Sequence, residues 1–468
     1  MLKLNDKSFW RIALSLALPI AMQNLLTSSF TLIDTVMIGQ LGDVALSSVG
    51  MAGQFSWLLN MILFGVCSGA SLFISQYWGV YDIKGIKKTV GLSTVSAILV
   101  SSLFVFLAVL FPERIISVFN SDPTVVSTGA KYLRVVALSY PAVVLNFVLC
   151  SALRAVERVR VPLATALITT ATNIFLDYAM IFGKLGFSKM GVEGGAWATV
   201  IASWTAPVVI FVSAFATKNI LWGKPKEYLC FSREFVLSFL KKSLPVVFNE
   251  TTWGCAMIIF NIIFANIGYE EYAAVTICKT FENLMFVFFA GLGNASAIMV
   301  GKSVGSGNFD EAKLNAKRFT VVVPILGVLL GSLVIIFRGS LVSLFNMSNN
   351  ISDVTFRTAT YILILYAAEL PVRNIPYLQI CGVFRPGGET VKGIKYDLLG
   401  TWCFSMPMTL LAAYLLKLPF AAVVASMYVF DDYPKAIMCL KYFFSDKWIK
   451  PITDEGKYAL KKGLQQNG

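Results

Sequence analysis

Of the 468 residues, 57% are hydrophobic and only 14% charged, with a mean hydropathy of +0.72, more apolar surface than a soluble domain of this length can hide in a core. The formal charge of +13 is spread over alternate junctions between apolar stretches. That is the pattern of the positive-inside rule, not of a nucleic-acid-binding patch. Histidine is absent, and the eight cysteines (Cys67, Cys150, Cys230, Cys255, Cys278, Cys381, Cys403, Cys439) show no ligand spacing. A metalloprotease or a His-based hydrolase is therefore disfavoured, and neither an enzyme nor a cofactor is expected.

In chain order, about twelve apolar segments are predicted, each long enough to cross a ~30 Å hydrocarbon core as a helix: 9–38, 46–78, 88–111, 126–154, 161–183, 191–216, 236–267, 271–304, 315–337, 354–384, 393–416 and 419–443. The fold class expected is an all-α polytopic membrane protein. No charged leader with a small-residue cleavage site precedes the first segment, which is expected to be retained. Basic residues are richest on the side of the N-terminus, so both termini are expected in the cytoplasm. The tail beyond Lys447, with Lys450, Lys457, Lys461 and Lys462, reads as solvated, with contact to anionic lipid as the alternative.

The halves repeat. Leu18-Pro19 matches Leu244-Pro245, Gly65 matches Gly291, Gly79 matches Gly305, and Val118-Phe119-Asn120 matches Leu344-Phe345-Asn346, all at an offset of 226 residues. The frame then slips by a few residues, so that Tyr132 meets Tyr361, and Cys150 with Arg154 meets Cys381 with Arg385. Six spans per half is an even number, so the repeats run in parallel and predict two six-helix bundles around a central cavity. The expected organisation is an N-terminal bundle over 1–222, a cytoplasmic linker over 223–235, a C-terminal bundle over 236–444 and a tail over 445–468. Pro19 and Pro245 each remove a ladder bond from the opening helix of a half and mark candidate hinges. Gly65, Gly69, Gly291 and Gly331 suit close helix packing.

Ionisable groups within the spans are the candidate functional residues, because a charge at that depth costs roughly 2.5 kcal/mol or more unless it is used or paired. Asp34 and Asp177 each lie about five or six residues from the outer end of an outward-running span, which gives them a common depth of ~7–9 Å below the helix ends. Asn173 lies one turn before Asp177 on the same face, and Thr199 opens the next span. Together they form an oxygen-rich set suited to a proton or a hard cation such as Na⁺. The repeat frame places Phe260 opposite Asp34, so the acid belongs to one half only.

The second half carries Glu250, Glu282, Glu369, Asp431 and Asp432 with Lys279, Arg373 and Lys435. Spacing predicts same-helix pairs Lys279–Glu282, Glu369–Arg373 and Asp431–Lys435, and leaves Glu250 without a basic neighbour. Glu250, Glu282, Glu369 and Asp431 are accordingly candidates for a substrate site or a second cation site.

These stretches resemble a known family. Leu32-Ile33-Asp34-Thr35-Val36-Met37-Ile38-Gly39-Gln40-Leu41-Gly42, preceded by Leu18-Pro19 and set in a two-by-six repeat, is similar to the multidrug and toxic compound extrusion (MATE) family of cation-coupled antiporters. Asn173-Ile174-Phe175-Leu176-Asp177, Gly194-Gly195-Ala196-Trp197-Ala198-Thr199, the opening of the seventh span from Leu244 to Glu250, and Phe384-Arg385-Pro386-Gly387-Gly388-Glu389-Thr390 extend the likeness over nearly the whole chain. The counterpart of that last loop, Leu153-Arg154-Ala155-Val156-Glu157-Arg158, lacks the glycine and acid.

The resemblance implies efflux of lipophilic, often cationic, organic compounds in exchange for H⁺ or Na⁺, with a first-bundle cation site on Asp34, Asn173 and Asp177. It further implies alternating access in a bacterial plasma membrane, with small organic molecules and the bilayer as partners, no nucleic acid, and a monomer. A lipid-linked oligosaccharide flippase of the same superfamily is the alternative.

Overall fold

The computed structural model describes residues 6–119, 122–343 and 352–466. Asn120 and Leu344, Phe345 and Asn346 of the repeat frame lie outside them. The first half comprises α1 (Lys7–Gly39), α2 (Asp43–Gly79), α3 (Ile83–Leu110), α4 (Pro112–Ser117), α5 (Pro123–Val136), α6 (Tyr140–Ala155), α7 (Arg160–Phe182) and α8 (Gly191–Thr217). After α9 (Pro225–Leu229) come α10 (Arg233–Ile267), α11 (Tyr269–Gly305), α12 (Phe309–Ser343), α13 (Asp353–Tyr377), α14 (Val391–Leu398), α15 (Met406–Leu410), α16 (Phe420–Phe443) and α17 (Asp454–Gln466). Three π-helical turns, Leu378–Phe384, Leu399–Ser405 and Leu411–Leu415, interrupt or extend the helices around α13 to α15.

Among the described residues, ten helices are long and apolar enough to cross a membrane: α1, α2, α3, α5 continued into α6, α7, α8, α10, α11, α12 and the α14–α15 stretch. α13 and α16, of 25 and 24 residues, complete the twelve expected segments and carry Glu369 with Arg373 and Asp431, Asp432 with Lys435 in their interiors. α8 shows why such helices belong in lipid. Its exposed Ile201, Trp204, Val208, Phe211, Val212 and Phe215 form one apolar stripe, while Ala198, Ala202, Ala206, Ile210 and Ala214 are buried on the other side.

The chain forms two compact units. One consists of Pro19–Ile74 and Tyr81–Val247, the other of Met1–Leu18, Ser75–Val80 and Phe248–Gly468. The opening helix of each half thus changes unit at or just after its proline, Pro19 in α1 and Pro245 in α10, and both helices continue through that residue.

In the first unit, α2 and α10 touch through small residues: a Cβ on Gly65 would stand 2.6 Å from Val247 Cα, and one on Gly69 would stand 2.3 Å from Ser243 Oγ. Gly331 likewise lies against the Ala367 carbonyl, within the second unit. The segment expected as a cytoplasmic linker packs against the first unit. α9 packs on α3, Gly91 gives way to the Tyr228 carbonyl, and Lys87 bonds both Glu227 (2.5 Å) and the Trp222 carbonyl (2.9 Å).

In the second unit the tail corrects its expected solvation. Trp448 is fully buried and stacks on Phe443, Lys450 N donates to Gly387 O at 2.7 Å, and Thr453 Oγ1 donates to Gly305 O at 2.6 Å. Gly388 makes this possible with a φ of +95°, a left-handed turn that brings it against the Lys450 carbonyl. Indole burial outweighs the pull of the lysines, which remain at the surface.

Candidate functional site

In the first unit, glycines bring three helices together. α7 ends on Gly183 in the left-handed region (φ +68°), and a short return lets Met190 N donate to Met180 O at 2.9 Å. α8 then opens with Gly194-Gly195. A Cβ on Gly194 would meet Met180 O at 2.7 Å, and one on Gly195 would lie 3.4 Å from Cδ1 of both Ile181 on α7 and Ile38 on α1. α1, α7 and α8 therefore converge on Gly195. One turn deeper on each stand Asp34, Asp177 and Thr199, in a shared layer, with Asn173 a further turn in. Below them the α7–α8 contact closes with Thr169 and Thr205, whose hydroxyls are 3.5 Å apart.

Asn173 and Asp177 are 0% exposed, and Asp34 and Thr199 are half-buried. Six buried atoms here lack a protein hydrogen-bond partner: Asp34 Oδ1, both Asn173 amide atoms, both Asp177 oxygens and Thr199 Oγ1. An orphaned buried polar atom costs ~1–3 kcal/mol, so a cluster of them persists only if something else satisfies it. Five of the six are oxygens, a donor set that fits a proton or a hard monovalent cation.

All four residues expected in this site come together. Sequence reasoning missed a fifth, Tyr132 on α5, which packs against α8; it is buried and lies within electrostatic reach of both Asp34 and Asp177. Its repeat partner Tyr361 is 61% exposed. At the position matching Asp34, Phe260 is buried and stacks on Phe264, so the second unit carries no acid at that position.

The second unit is an ion-pair network. Glu250, expected to stand alone, is paired with Arg385 at 2.6 Å. Spacing rules see only same-helix neighbours, and this partner lies 135 residues away. Of the three same-helix pairs expected, only Asp431–Lys435 forms (2.9 Å), and Lys435 is shared with Asp397 at 2.6 Å. Asp397, not singled out from the sequence, also accepts from Asn249 Nδ2 at 2.9 Å.

Arg373 turns away from Glu369 to lie 3.4 Å from both Glu282 and Asp432, with its guanidinium 4.5 Å from the centre of the Tyr428 ring. Tyr428 donates to Glu282, and Lys279 donates to Asn261 instead of meeting Glu282. A planar guanidinium with five donors gains more from two carboxylates and a ring on other helices than from one acid on its own. Glu369 keeps a buried Oε2 without a partner. Gly400, in a π-helical turn, provides the space for the Lys435 side chain, and such turns recur at functional sites.

These features define a polytopic helical membrane protein built as two related halves. A sequence model of the MatE family matches residues 19–179 and 245–411, segments that begin at Pro19 and Pro245 with the same offset as the repeat. The chain belongs to the MatE family of transporters. It is 24% identical over 457 residues to the probable multidrug resistance protein NorM of Thermotoga maritima, covering 93% of this chain and 92% of that one. It is also 24% identical to the probable multidrug resistance protein YoeA of Bacillus subtilis, with 90% of each covered. A solved MATE structure in the bent conformation matches with a TM-score of 0.84 at 16% identity over 99% of both chains. A MOP superfamily transporter from Pyrococcus furiosus matches with 0.82 at 17%, covering 94% of this chain and 95% of that one.

Proposed function

We propose that this multidrug efflux transporter exports lipophilic, cationic organic compounds in exchange for H⁺ or Na⁺, and that Asp34, Asn173, Asp177 and Thr199 hold the coupling ion. The observation that carries the reading is the set of six buried, unpartnered polar atoms on α1, α7 and α8. Binding an ion there compensates two carboxylates that no basic side chain among the described residues pairs. In the second unit Arg373, Arg385 and Lys435 already occupy their acids, which favours a structural or substrate-facing role for Glu250, Glu282 and Asp431 over ion coupling. Glu369, with its unpartnered oxygen, remains the substrate-site candidate.

The organisation proposed with it is a monomer of two parallel repeats in the plasma membrane with both termini cytoplasmic, and alternating access by bending at Pro19 and Pro245. Protein reconstituted in liposomes and loaded with a fluorescent organic cation should show efflux under an imposed proton or sodium gradient, and the gradient that drives it names the ion. Efflux indifferent to both gradients contradicts the reading.

A further inference from the structure

Each half carries an arginine at the end of its fourth span: Arg154 in the last turn of α6, and Arg385 directly after the π-helical turn Leu378–Phe384. Each reaches the opening helix of its own half about one turn past the proline. Arg154 Nη1 donates to Gln23 Oε1 at 3.2 Å, four residues after Pro19; Arg385 Nη2 donates to Glu250 Oε1 at 2.6 Å, five residues after Pro245. The opening helices change compact unit between Leu18 and Pro19 and between Val247 and Phe248. Each arginine therefore holds the first turn of the opening helix that belongs to the arginine's own unit.

The two holds differ in kind. Arg385 and Glu250, 3% and 13% exposed, form an ion pair. The Arg154 bond goes to a neutral amide, and hydrogen bonds between two ionised groups are the stronger kind. Gln23 and Asp34 are eleven residues apart on α1, three turns and ~20° around the axis, so they share a face. Whatever fixes Gln23 fixes the direction in which Asp34 points.

We infer that Arg154 is a positioning residue for α1: it holds Gln23 so that Asp34 faces Asp177 and Thr199, and its neutral acceptor lets α1 leave that position during transport. Arg385 and Glu250 hold α10 in place throughout. What Asp34 does once positioned rests on the coupling-site reading above; the hold and its release do not.

The test converts the first hold into the second. Substrate counterflow, which needs no ion gradient, is measured in liposomes with Gln23→Glu, with Arg154→Gln and with both. Gln23→Glu should lower kcat about tenfold at unchanged KM, and adding Arg154→Gln should return it to within about twofold of Arg154→Gln alone. The thermal midpoint of Gln23→Glu should equal or exceed that of the wild type, since a new ion pair is added. Wild-type turnover in Gln23→Glu, no recovery in the double variant, or a lowered midpoint would each overturn the inference. If the cycle behaves as expected while Asp34→Asn keeps its response to ion gradients, the coupling-site reading fails and the hold stands.

Discussion

Replacing Gly194 with alanine perturbs the packing that assembles the proposed cation site. The new Cβ would stand 2.7 Å from Met180 O and 2.8 Å from Met180 C, backbone atoms that cannot rotate aside. Moving the 2.7 Å approach out to ordinary contact at 3.4 Å requires α7 and α8 to part by about 0.7 Å, an overpacking cost of ~1–3 kcal/mol. Removing glycine's backbone freedom offsets ~0.5–1 kcal/mol of it, for a net loss of about 1–2 kcal/mol. Gly195→Ala is the matched control, because its Cβ meets only isoleucine tips at 3.4 Å and should hold or gain stability. Thermal unfolding of detergent-solubilised protein, with sodium and pH varied, reads both effects. Gly194→Ala should lower the midpoint and flatten its dependence on the coupling ion, as Thr199 is pushed away from Asp177. Wild-type stability and ion response in Gly194→Ala would refute the claim that this close approach builds the site.

Removing one partner of the buried Glu250–Arg385 pair leaves an uncompensated charge, so Arg385→Met should cost ~3–5 kcal/mol in thermal or denaturant unfolding, and adding Glu250→Gln should recover part of it. Equal or greater loss in the double variant would contradict the pairing. Trp448→Ala should cost ~3–5 kcal/mol because the indole is fully buried in the folded-back tail, and a loss under ~1 kcal/mol would mean the tail is not part of the core. Glu227→Ala, which breaks an exposed pair with Lys87, should change stability by no more than ~1 kcal/mol in the same assay.

Much of the grouping of Asp34, Asn173 and Asp177 was legible in the sequence because its signals are local. Asp34 and Asp177 are anomalies of composition at a common depth, Asn173 follows from helical period, and the offset of 226 shows that Asp34 has no twin. Tyr132 was not legible as a neighbour, since a tyrosine on a buried helix face looks like core until the tertiary contacts place it beside two acids. The second unit was the harder case. Periodicity pairs Glu369 with Arg373 and Lys279 with Glu282, whereas the folded chain pairs Arg373 with Glu282 and Asp432 from other helices and turns Lys279 to Asn261. A same-helix pair brings a single partner, and a buried guanidinium requires several. The π-helical turns at Leu378–Phe384 and Leu399–Ser405 shift side-chain directions by register changes that no 3.6-residue pattern encodes, and Asp397 and Arg385 lie at their edges. The buried tail escaped for a similar reason, as four lysines mask one tryptophan.

The central claim is that Asp34 and Asp177 act as one ion site, and gradient-driven efflux by the single and double asparagine variants tests it most directly. Asp34→Asn and Asp177→Asn should each abolish efflux driven by the coupling gradient in liposomes with normal protein incorporation, and the double variant should be little worse than either, since effects within one site are not additive. Full gradient-coupled efflux by either single variant would contradict the account.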